Sequence, residues 1–162
     1  MRVGGWAAAL AITVADHGAD LVLLGRDETA LSAVADAIRA RCERDIATVP
    51  CDLAQPDSVA QACRHTLAAT PVVDVLINNG APWLPGNLED LGDADIATTV
   101  AAVVTGTVLM TKGLLPGLRR SAAADIVTIV STAGVTGSVF WERVRGFPRG
   151  QARPVRVQRA AG

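Results

Sequence analysis

The chain has 162 residues, half of them apolar, 19% charged, and a net charge of −1. Those proportions exclude a disordered chain and allow one domain with a sizeable core. No run of eighteen apolar residues occurs and Met1 is not followed by a charged region and an apolar signal core, so neither membrane insertion nor export is indicated and a cytoplasmic location is expected.

From Trp6 to His17 the chain is alanine-rich and free of glycine and proline, which predicts a helix ending at Gly18. "DLVLLG" (20–25) reads as a short buried strand. Asp27 and Glu28 then place acids at the start of a helix whose Leu31, Val34, Ile38 and Cys42 line one face. "DIATVPCDL" (45–53) is a second strand, and Pro56 opens a helix to about Thr70 with Val59, Cys63 and Leu67 as its stripe. "VVDVLINN" (72–79) is the third strand. After a Pro- and Gly-rich loop (80–92), a long helix is predicted from about Asp93 to Leu115. Ile96, Val100, Val103, Thr107, Met110 and Leu114 form its inward stripe, and Pro116 and Gly117 end it. "DIVTIVS" (125–131) is the fourth strand.

Strands alternating with helices at this rhythm require right-handed crossovers and a parallel sheet, so a doubly wound α/β domain is the expected architecture. The scarcity of aromatics, with no tyrosine at all, suits strands built from valine and leucine. Cys42, Cys51 and Cys63 lack CxxC and zinc-ligand spacing and read as small buried thiols. His17 and His65 stand alone on helices, and no metal site is expected. Beyond Ser138 neither period is present. Residues 139–162 hold six arginines and one acid, Glu142, a net +5 against −6 for residues 1–138. The expected division is therefore residues 1–138 as the folded domain and 139–162 as an irregular basic tail. That tail lacks the aromatics and heptads that would argue for nucleic-acid binding.

Four pieces in this order resemble the short-chain dehydrogenase/reductase family, over roughly residues 4–138. "VLINNGAPW" (75–83) resembles the family's Asn-Asn-Ala-Gly turn, with the last two residues exchanged as Gly80 and Ala81. "CDL" (51–53) resembles its Asp followed by an aliphatic residue. "GADLVLLGRD" (18–27) puts Gly25 where NAD-selecting relatives place an acid, followed by Arg26. The family's glycine-rich opening matches Gly5-Trp6-Ala7, where Ala7 replaces a glycine and is expected to crowd the helix against the sheet.

The resemblance implies a Rossmann-type doubly wound sheet, here incomplete, because the family's first, central strand would fall before Met1 and its C-terminal third is missing or altered. It implies cofactor binding at Gly5, Arg26, Asp52, Leu53, Asn79, Gly80 and Ala81, with NADP favoured over NAD because a guanidinium suits a 2′-phosphate. The substrate class implied is a small carbonyl or alcohol, and homo-oligomers would form through the 93–115 helix. Family catalysis uses Asn, Ser, Tyr and Lys. Only the Ser has a match, Ser131. The Asn position is Val103, expected to pack in the core, and the Tyr and Lys positions, near 144 and 148, hold Val144 and Pro148. The only lysine is Lys112. Impaired catalysis is therefore expected, and a reading-frame shift would account for the abrupt change after Ser138. Two other readings stay open: a non-catalytic nucleotide-binding or scaffold protein, and an arginine-tailed nucleic-acid binder.

Overall fold

Strand β1 (Leu21–Gly25) shows the architecture in five residues. Leu21 and Leu23 pack into one hydrophobic cluster with Ala15, Ala35, Ile38 and Ile46, whereas Val22 and Leu24 pack into another with Val49, Val59, Leu76, Met110 and Leu114. Successive strand side chains point to opposite faces, so both faces of β1 are covered by helices. The chain is a doubly wound α/β fold of Rossmann type. The structure is a computed structural model that describes residues 5–82, 84 and 88–130; the stretch from Ser131 onward lies outside them.

Helix α1 (Gly5–Asp16) is followed by Gly18 at φ +98, a left-handed conformation that glycine adopts without strain, and Gly18 N–H donates to Ala15 O. In α2 (Glu28–Arg39) the Asp27 carboxylate caps the first turn by accepting from Ala30 N–H at 3.0 Å. Arg39 closes the last turn by donating to Ile46 O at the start of β2 (Ile46–Pro50). Beyond α2, Arg41 grips Asp16 of α1 through both guanidinium and carboxylate edges, at 2.6 and 3.3 Å. That hydrogen bond holds the Asp16 carboxyl below its ordinary value.

β1 and β2 pair in parallel, Leu21 opposite Ile46 through Gly25 opposite Pro50. Pro50, lacking an N–H, is tolerated because β2 is an edge strand of this pair. Helix α3 (Pro56–Ala69) follows, then β3 (Val75–Asn78), α4 (Asp93–Val100), a π-helical turn (Ala101–Gly106), α5 (Thr107–Leu118) and β4 (Asp125–Thr128). β3 and β4 form a second parallel pair, and among the described residues no ladder joins β1 to β3. Leu88–Asp90, a single 3-10 turn, belongs to a separate compact unit.

Four expectations are corrected. Cys42 lies beyond α2, on the irregular turn after Ala40, where its thiol reaches back to Ile38 O. Ala7 is exposed and crowds nothing, because Ala8 takes the inward position on α1. The long helix does not stop at Pro116 and Gly117. Pro116 sits in its last turn, where the missing N–H forfeits a single hydrogen bond, and Gly117 is buried because a side chain there would overlap Leu67 and Val73. Val103 is not core: it is 40% exposed, and Val100 is exposed too. The π-helical turn shifts the phase of the helix, so Ala102 and Gly106 are buried where Val103 is exposed and Thr107 is only half-buried.

By length and composition the span Asp93–Leu118 could cross a membrane, with mean hydropathy 1.5. Here Met110, Leu114 and Leu118 are buried in the core against α3, and Cys63 on α3 lies 3.6 Å from Met110 Sδ.

Among the described residues, the facing edges of β1 and β3 carry backbone groups without ladder partners, and Ile126, Val127, Ile129 and Val130 are exposed on and after β4. Residues 1–162 in isolation are therefore predicted to self-associate as concentration rises. Sedimentation velocity checks this; a monomer at every concentration, with a sharp melting transition, would contradict it.

Candidate nucleotide cleft

The C-terminal ends of β1, β2 and β3 open into one cleft of about 430 Å³. Leu24, Gly25 and Arg26 enter from β1, Cys51 to Ala54 from β2, and Leu76 to Pro82 from β3. Asp95, Thr98 and Thr99 of α4, Ala102 of the π turn, and Thr107 and Met110 of α5 close the side. In open parallel sheets ligands bind outside the carboxyl ends of the strands, and all three strand ends converge here. A second depression, lined by Asp20, Glu43, Arg44 and Asp45, sits at the opposite strand ends. There Arg44 donates to Gly18 O and Asp45 N–H to the Asp20 carboxylate.

The turn after β2 is tightly held. Cys51 N–H donates to Gly25 O, Asp52 N–H to the Ser58 hydroxyl, and Ala54 N–H to Asp52 Oδ1, an Asx turn that fixes the carboxylate. Asp52 Oδ2 takes no hydrogen bond from a described residue, so it keeps acceptor capacity toward the cleft. Leu53 packs beside it against the larger hydrophobic cluster. Arg26 stands exposed at the rim, placed by the end of β1.

The turn after β3 begins at Asn78, whose amide lies 3.4 Å from the Thr111 hydroxyl on α5 and 3.5 Å from that of Thr128 on β4. Asn78 thus ties three elements at the mouth of the cleft, and Asn79, Gly80 and Ala81 follow along its wall. Both asparagines of the "NNG" turn line the cleft, and the first also ties β3 to α5 and β4.

Of the residues singled out from sequence, Arg26, Asp52, Leu53, Asn79, Gly80 and Ala81 are brought together here. Gly5 is not among the lining residues; it opens α1 with φ +79. Ser131 lies outside the described residues. Sequence reasoning missed Asp95, Thr98, Thr99 and Met110. No local motif marks them, because the packing of the long helix alone brings them to the cleft.

Cys51, at the cleft floor, and Cys63, behind it, are buried, and loss of hydration pushes both thiols above their ordinary value of 9.0. A raised value in the fold means that their contribution to stability is present below about 9 and is lost as the pH rises beyond it. Cys42 is partly exposed. Alkylation of the native protein at pH 8 is expected to modify Cys42 first, with Cys51 and Cys63 reacting only on unfolding; equal rates at all three, read by peptide mass spectrometry, would contradict this burial.

Residues 3–143 match the family model of the short chain dehydrogenases. Over 131 residues the chain is 33% identical to an uncharacterized oxidoreductase of Mycobacterium tuberculosis, covering 80% of this chain and 49% of that protein. It is 32% identical over 117 residues to human retinol dehydrogenase 8, covering 72% of this chain and 35% of the relative. Among solved structures, a metagenomic short-chain oxidoreductase in complex with NADP superposes with a TM-score of 0.73 at 30% identity, over 82% of this chain and 60% of that one. The chain spans about half the length, or less, of the two curated relatives named.

Proposed function

The chain belongs to the short-chain dehydrogenase family, and on that premise we propose that it binds NADP(H) in the cleft at the strand ends, as an oxidoreductase of a small carbonyl or alcohol whose turnover is impaired in residues 1–162. The observation that carries the binding is the convergence of Arg26, Asp52 and the Asn79–Ala81 turn on one cleft, from three different strands.

The residues present fit the adenosine end of such a cofactor. Asp52, one oxygen tied down by Ala54 N–H and the other taking no hydrogen bond from a described residue, is placed to accept from an adenine amino group, and Leu53 offers an apolar flank for the ring. Arg26, at a position where an acid would hold the ribose hydroxyls of NAD, offers a guanidinium to a 2′-phosphate. Gly80 and Ala81 let the backbone pass close to the ribose. NADP in complex with the metagenomic relative agrees with this preference.

When bound, the cofactor supplies or takes the hydride. The matching proton needs a donor of suitable pKa, and the chain contains no tyrosine. Its one lysine, Lys112, is exposed on α5. Val103, at the position matching the family's asparagine, is a hydrocarbon half in solvent and cannot hold a water by hydrogen bonds. Ser131, outside the described residues, would by the family resemblance hydrogen-bond a substrate oxygen. These same observations favour a second reading, a non-catalytic nucleotide-binding or scaffold protein. Val100, Val104 and Val108 recur every four residues on the outward face of the long helix, which supports association between copies there.

Calorimetric titration is expected to give tighter binding of NADPH than of NADH. Arg26→Ala should lower NADPH affinity roughly tenfold, the worth of one charge-assisted contact, and leave NADH unchanged, while Asp52→Ala weakens both. NADPH oxidation with a panel of small carbonyls should not rise above the buffer rate. Equal affinities that Arg26→Ala leaves unmoved would remove the NADP reading, and measurable turnover would remove the impairment.

A further inference from the structure

We propose that Gly80 and Gly106 are positioning residues of the nucleotide cleft, which together hold Leu53 as a wedge and so set the height of the Asp52–Leu53 turn. The inference deepens the nucleotide-binding reading and rests on it. A Cβ built at Gly80 would fall 2.6 Å from Leu53 Cδ1. At Gly106 a Cβ would overlap the Leu53 carbonyl oxygen and lie 2.9 Å from both the carbonyl carbon and Cβ of Leu53. Leu53 therefore lies too close to two glycines for either to carry a side chain, its own side chain facing the turn after β3 and its backbone the end of the π-helical turn.

The two contacts differ in what can yield. The Leu53 side chain can rotate or be shortened, so crowding from position 80 has a remedy. Its backbone cannot retreat, because the neighbouring amides are already committed: Cys51 N–H to Gly25 O, Asp52 N–H to Ser58, and Ala54 N–H to the Asp52 carboxylate. Any side chain at 106 must push the turn or the helix away. Because Asp52 shares that turn, displacing Leu53 also re-aims the carboxylate that would meet the adenine. Gly106 ends the π segment, whose extra residue turns Ala102 and Gly106 inward together. Larger side chains stand immediately beside them, at Val103 and Val104.

The test is a double-mutant cycle on the full chain, read by binding of 2′,5′-ADP and by melting temperature. Gly80→Ala is expected to weaken 2′,5′-ADP binding roughly tenfold relative to the parent. In a Leu53→Ala background the same change should have no further effect. Gly106→Ala should weaken binding in both backgrounds, because its collision is with backbone. Circular dichroism identifies any variant that fails to fold, and Gly80→Ser and Gly106→Ser, with an equally placed Cβ, repeat the cycle. Additive effects of Gly80→Ala and Leu53→Ala, or rescue of Gly106→Ala by Leu53→Ala, would overturn the wedge. If the parent chain binds no 2′,5′-ADP, the nucleotide reading fails, and the melting temperatures alone decide the wedge by the same pattern of rescue.

Discussion

The long helix from Asp93 to Leu118 can lie against the rest of the fold only because much of what it turns inward is small. At Ala102, Gly106, Gly113 and Gly117 the helix meets, in order, the cleft, the Leu53 backbone, the Cys63 thiol and the Leu67 and Val73 side chains. At the three glycines a Cβ would come within 3.0 Å of one of these neighbours, closer than packed atoms tolerate. Between the glycines, Met110 and Leu114 fill the space against α3 and β3. The small residues set the distance and the large ones supply the apolar burial.

This seam explains what the sequence disclosed and what it hid. Strand β1 was legible because a run of Leu and Val between Asp20 and Gly25 has one simple use, and the end of α1 because Gly18 is a common helix stop. The inward face of the long helix was misread for a physical reason. Ranking positions by apolar bulk selects Val100 and Val103, whereas close approach selects Ala102 and Gly106, and a π-helical turn changes the phase without any distinctive residue. Pro116 misled in the same way. A proline in the last turn of a helix costs little, and the helix passes through it.

The cleft was more legible than the helix that walls it. Residues after β1, β2 and β3 are placed by strand ends, and strand ends can be counted along a chain, so Arg26, Asp52 and Asn79–Ala81 were identifiable from short motifs. Asp95, Thr98 and Thr99 reach the cleft by tertiary packing that no local pattern encodes. Gly5 shows the converse: its match depended on counting back from Gly18, and it is not among the described residues that line the cleft. Membership of the short-chain dehydrogenase family and the doubly wound sheet account for the position of the site.

The most direct measurement is a titration of isotope-labelled protein with 2′,5′-ADP, following backbone amide resonances. Saturable shifts at Arg26, Asp52, Leu53, Ala54 and Gly80, with none at Asp20, Glu43 or Asp45 across the sheet, are the predicted result. Shifts confined to the Asp20–Asp45 end, or no saturable shift at all, would contradict a nucleotide cleft at the strand C-termini.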